Sequence, residues 1–111
     1  MRRIASNRLW TSGGIVRWPL VTLSAEGRVL RIEQCPDPDR RAGTEFYAGL
    51  LVGDFPADYR RAFDSLTARL SEPLTETLPP LLRPGEGVWV VLSGLDYATL
   101  RLTLQSRILR L

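Results

Sequence analysis

The stretch Glu45-Phe46-Tyr47-Ala48-Gly49-Leu50-Leu51-Val52-Gly53-Asp54-Phe55 constrains this chain more than any other. An apolar run of this length, bounded by polar and turn-forming residues, is strand-sized rather than helix-sized. Gly53-Asp54 closes it as a turn. The character of the sequence changes at that point. The residues before it read as short strands, a helix follows directly, and strands return afterwards.

Before the central run, residues 4–11 carry Ile4 and Leu9-Trp10 as the apolar content of a first strand, and Ser12-Gly13-Gly14 is a turn by composition. Residues 15–23 read as a strand, because Val16, Trp18, Leu20 and Val21 suit a pleated surface. Pro19 cannot donate to a ladder, so this strand is expected at an edge or a bulge. Ala25-Glu26-Gly27 forms the tight turn of a hairpin. Residues 28–33 follow with Leu30 and Ile32 on one face, Arg31 and Glu33 on the other. The prolines and glycine of Pro36-Asp37-Pro38-Asp39-Arg40-Arg41-Ala42-Gly43 forbid regular structure and predict a loop.

After the run, Pro56 suits the first turn of a helix, with Asp54 as its cap and Asp58 as a first-turn acid. Tyr59, Ala62, Phe63, Leu66 and Leu70 line one helical face, with Arg60, Arg61, Asp64 and Arg69 on the others, and Pro73 ends the pattern. The helix is expected over residues 57–71. Residues 74–82 contain Pro79-Pro80 and read as a short helical turn around Leu78 or an extended connector. Arg83-Pro84-Gly85-Glu86-Gly87 is a turn, and Val88-Trp89-Val90-Val91-Leu92 is a strand covered on both faces. Residues 100–104 alternate as a strand, and residues 108–111 close the chain as another.

These elements predict a mainly β fold, a small β-sandwich or partly open barrel with one amphipathic helix packed over it. The chain reads as one domain: N-terminal strands in 1–55, helix and connector in 56–86, C-terminal strands in 87–111. No apolar run approaches the roughly 18–20 residues that span a bilayer. The basic start lacks the apolar core of a signal peptide. A single cysteine, Cys35, permits no internal disulfide and suits a reducing compartment, so a cytoplasmic location is expected.

All 15 basic residues are arginine and there is no histidine. The missing imidazole removes the commonest metal ligand and the usual base near neutral pH. A net charge of +3 with interspersed acids is modest for a nucleic-acid binder. Asp54 and Asp58 are read as helix cap and first-turn acid rather than a catalytic pair. Cys35, between Glu33 and Asp37, lacks the setting of a reactive thiol. Ser93-Gly94 is an incomplete nucleophile elbow with no histidine to serve it. Gly85-Glu86-Gly87 lacks the lysine and following helix of a phosphate loop. The pairs Arg2-Arg3, Arg40-Arg41 and Arg60-Arg61 read as solvated surface. Trp10, Trp18 and Trp89 read as sheet or core aromatics; an exposed one would mark an interface.

The hairpin Ala25-Glu26-Gly27-Arg28-Val29-Leu30-Arg31-Ile32, the run Leu50-Leu51-Val52 with Phe55, and Arg83-Pro84-Gly85-Glu86-Gly87 leading into Val88–Leu92 together resemble the small sandwich of cyclic amidohydrolases. The likeness covers residues 1–55 and 83–111, and Gly53-Asp54 stands where the family has Pro-Gly. It implies that a metal-dependent barrel would enter after Phe55, with its two metal histidines at Tyr59 and Arg61. Neither residue can act as a neutral imidazole. Residues 56–86 are also far too few for a barrel of ~250 residues. The resemblance therefore implies a stand-alone sandwich without catalysis, metal or cofactor, acting as an interaction or assembly module. Loss of the barrel would uncover apolar surface, for which Trp18 and Pro19 on an edge strand and Leu74, Leu78, Leu81 and Leu82 in the connector are the candidates. A homodimer or an unidentified protein partner would cover it. The competing readings are a small basic barrel that binds nucleic acid and a protein that binds a small anion.

Overall fold

The structure, a computed structural model, describes residues 1–34 and 43–111. Most of the loop expected from Pro36 to Gly43 therefore lies outside the described residues, as do Cys35 and the Arg40-Arg41 pair. The described elements are β1 (Arg2–Thr11), β2 (Gly14–Arg17), β3 (Pro19–Leu23), β4 (Val29–Gln34), β5 (Thr44–Phe55), α1 (Tyr59–Thr67), α2 (Leu74–Thr77), a 3-10 turn (Pro79–Leu81), β6 (Val88–Ser93) and β7 (Arg107–Arg110). The strands form one mixed sheet in the order β4-β3-β1-β5-β6-β7, with β2 also paired to β1. Its two ends, β4 and β7, do not meet, so the sheet is not closed into a barrel. The mainly β expectation with a helix holds. The chain divides into two compact units, Met1–Leu51 and Val52–Leu111, and β5 contributes to both.

In the first unit, β1 and β2 form a hairpin in which Thr11 faces Gly14 across Ser12-Gly13. The Thr11 hydroxyl donates to the Gly14 carbonyl at 2.6 Å. The strand expected over 15–23 breaks in two at Trp18, which takes φ 52. Its N–H still reaches the Asn7 carbonyl, at 3.0 Å. Pro19 becomes the first residue of β3, where a missing donor does least harm.

The edge expectation holds for β2, which pairs only with β1 among the described strands, and is corrected for β3. β3 lies between β1 and β4, and all five of its residues are buried. The Pro19 disturbance is absorbed by the kink at Trp18, and the edge passes to β4. The ladder places Ile4 beside Val21 and Ala5 beside Leu20, so both faces of the sheet are covered here. β5 runs parallel to β1, from Arg3 opposite Thr44 to Leu9 opposite Leu51. Its register slips between Ser6 and Arg8. Gly49 takes φ 136 at the slip, and its N–H donates to Asn7 Oδ1 at 2.8 Å, replacing the lost ladder bond.

In the second unit, β5 continues through Gly53-Asp54 to Phe55, so no turn ends the run. Asp54 takes φ 57 inside the strand, and its carbonyl accepts the Arg83 N–H at 2.7 Å. α1 is shorter than expected. The Arg69 N–H bonds to the Leu66 carbonyl three residues back, at 3.0 Å, and this tightened turn ends the helix well before Pro73. The apolar face is placed as the spacing predicts: Ala62 and Leu66 are buried, while Tyr59, Phe63 and Leu70 are half-buried. α1 packs beside β7.

The connector folds as α2 and the 3-10 turn, and the Leu74 N–H donates to the Leu100 carbonyl at 2.8 Å. Val90, Val91 and Leu92 are buried in succession, as a doubly covered strand requires. The strand expected at 100–104 does not form. Leu102 is buried but Leu104 is 82% exposed, and Leu100 takes φ 53. A bridge between Asp96 and Arg101 and the Thr103 and Ser106 hydroxyls on the Gly94 carbonyl hold these residues as a loop.

Candidate interaction surface

Of the residues expected to form an interface, Trp18 and Pro19 belong to the first unit and Leu74, Leu78, Leu81 and Leu82 to the second. Trp18 is 41% exposed, and the Arg8 guanidinium lies 5.9 Å from its ring centroid. Pro19, Leu74 and Leu78 are buried. Leu81 and Leu82 are half-buried. Leu74 and Leu78, four residues apart at the start and the cap of α2, therefore supply core.

The apolar surface that the structure does expose lies on β4. Val29, Leu30 and Ile32 are 44%, 59% and 45% exposed. β4 pairs with β3 on one side, from Gln34 opposite Pro19 to Val29 opposite Leu23, with Leu30 as the extra residue of a bulge. It is the end of the strand order, so its other edge meets no strand among the described residues. Ile32 and Val29 stand opposite Val21 and Leu23 on one face. Arg31 and Glu33 stand opposite Thr22 and Leu20 on the other, joined by an ion pair of 3.2 Å. At one end of β4, the Gln34 amide donates to the Arg17 carbonyl at 3.3 Å, next to Trp18. Exposed apolar side chains on an open strand edge are the ordinary substrate of strand addition. The sequence signal was the alternation of 28–33; what it lacked was the identity of the edge.

The strongest electrostatic cluster is elsewhere in the first unit. Arg2 grips Glu45 with both Nε and Nη2 at 2.8 Å, and the Tyr47 hydroxyl donates to Glu45 Oε1 at 2.8 Å. The Arg2 bond, aided by Tyr47, holds the Glu45 carboxyl far below its ordinary 4.5, at about 2. The bond to Glu45 also raises the Tyr47 hydroxyl and the Arg2 guanidinium above their usual values. Glu45 is thus ionised and occupied on both oxygens, which suits a clamp between β1 and β5 and not a proton carrier. Nothing in the sequence pointed to it, because its partners are 43 residues apart.

The remaining candidates are tied into structure. Asp54 does not cap α1; its Oδ1 accepts the Gly85 N–H at 3.2 Å. Asp58 holds the N-cap position without a side-chain cap bond and pairs with Arg61 at 3.5 Å. The guanidinium of Arg60 lies 5.7 Å from the Tyr59 ring centroid. Gly85-Glu86-Gly87 serves a close approach: a Cβ on Gly87 would fall 2.1 Å from the Asp54 carbonyl carbon. Gly53 likewise sits where a Cβ would meet the Trp89 ring at 2.9 Å. Among the described residues, no group of three or more His, Cys, Asp or Glu is placed to hold a metal ion. No described helix is long and apolar enough to cross a membrane. No protein-family model, curated protein or solved structure matches the chain.

Proposed function

We propose that this chain is a non-catalytic, cytoplasmic interaction module that binds protein through the open edge of β4. One observation carries the reading: three large apolar residues, Val29, Leu30 and Ile32, stand exposed on a strand whose outer edge pairs with no strand among the described residues. Keeping such an edge exposed invites pairing with another chain, so a strand that retains it is built to be covered. The lack of any histidine and the occupied Glu45 carboxylate support a binding role over a catalytic one. The likeness of the hairpin and the two apolar strands to the cyclic amidohydrolase sandwich supplies an origin: a sandwich whose barrel has been replaced by α1 and the connector.

The test is site-specific photo-crosslinking in cells of the source organism. A benzophenone amino acid at Leu30 should give a covalent protein adduct, while the same group at the exposed loop residue Leu104 should give none. Equal, background-level adducts at both positions would end the proposal.

A further inference from the structure

We propose that the partner of the β4 edge is a second copy of this chain, docked antiparallel about a two-fold axis through Ile32. The inference rests on the β4 reading above and adds the occupant and the register. In an antiparallel pair centred on Ile32, each Ile32 faces its symmetry mate. Arg31 then faces the partner's Glu33, and Leu30 faces the partner's Gln34. The two charged positions flank the axis with opposite sign, so every cross-strand charge meets its complement.

The existing Arg31–Glu33 pair, 3.2 Å apart and on one face, then closes into a ring of four alternating charges. Neighbouring registers lack this property. Centring on Arg31 or on Glu33 places like charges directly opposite, which destabilises a strand pair. Shifting by a single residue puts the two apolar sets on opposite faces. Parallel pairing stacks Arg31 on Arg31. Single-sign charge on an edge protects it from self-pairing; alternating charge about one apolar residue does the reverse. Two copies related by a two-fold axis are the commonest closed assembly. A contact confined to residues 30–34 is small, so the dissociation constant is on the order of micromolar or weaker.

Sedimentation of the full chain over roughly 10–500 μM should show a shift from the 12.5 kDa chain toward twice that mass. Arg31→Glu and Glu33→Arg each place like charges across the axis, and each should weaken association about ten-fold or more. Arg31 is exposed and Glu33 half-buried, so the circular dichroism spectrum of each variant is compared with the parent's, and a matching spectrum shows that association is lost without loss of the fold. An equimolar mixture of the two variants should associate again as a heterodimer, and the double variant R31E/E33R should associate as the parent does. A parent that stays at 12.5 kDa throughout overturns the inference. A parent dimer indifferent to both charge changes, or a mixture that fails to associate, overturns the register. A Leu30 adduct carrying a different protein, with the parent monomeric, would leave the β4 module reading standing and this inference refuted.

Discussion

At Glu45 a surface carboxylate is committed to one task by three hydrogen bonds. Its folded pKa lies below the ordinary 4.5, so the clamp stabilises the fold fully above pH 4.5 and loses that contribution as pH falls toward about 2. The Arg2 and Glu45 side chains are 42% and 39% exposed, so solvent screens the pair, and its contribution is on the order of 1 kcal/mol. Urea midpoints measured from pH 6 to pH 2 should fall across that window, and Glu45→Gln should flatten the fall. Glycines give a sharper contrast at the same scale. Gly85 takes φ 78 with open space around its missing side chain, so Gly85→Ala should cost about 1–2 kcal/mol of backbone strain. Gly87 has an ordinary φ but meets the Asp54 backbone, and backbone cannot swing aside as a side chain can. Gly87→Ala should therefore destabilise the fold by more than ~3 kcal/mol, read as a lower denaturation midpoint. Equal effects at the two glycines would show that the Asp54 approach is not as tight as described.

Helix α1 tests what a hydrophobic face means once it is placed. Leu66 is buried and Phe63 is half-buried. Leu66→Ala should cost ~2–5 kcal/mol, and Phe63→Ala should cost less despite removing the larger side chain. The reverse order would mean that α1 is rotated from its described face. The local elements were legible because their signals are local: Ser12-Gly13 and Glu26-Gly27 turn the hairpins, and the spacing of Ala62 and Leu66 makes the helix. The parallel partnership of β1 with β5 was not, since alternation tells a strand its faces but not its neighbour. Pro19 was read correctly as a fault in the ladder and wrongly as an edge, because the kink at Trp18 was invisible without knowing both flanking strands. Residues 100–104 alternate as a strand would, yet their hydrogen bonds go to Gly94 and Asp96. Of the candidate surface residues, Trp18 is exposed, Pro19, Leu74 and Leu78 are buried, and Leu81 and Leu82 are half-buried.

For the molecule as a whole, the proposed self-association would link assembly to stability. If β4 pairs with a second copy, mass action favours the folded dimer. The melting temperature should then rise with protein concentration in the parent and stay constant in Arg31→Glu; a parent melt independent of concentration would count against the dimer. A different consequence follows from the parallel ladder of β1 and β5, and it concerns time. Arg2 and Glu45 are separated by 43 positions, so that ladder forms only after a long loop closes, and loop-closure entropy is spent before any contact rewards it. Hairpins β1–β2 and β3–β4 close sooner, being local. Refolding after dilution from denaturant should be slow for a chain of this size, in the range of about milliseconds to seconds. Until β5 arrives, β1 is a hairpin strand with a bare, partly apolar flank. On rapid synthesis that closure is expected to compete with encounters between unfinished chains, so slower synthesis should raise the yield of native protein.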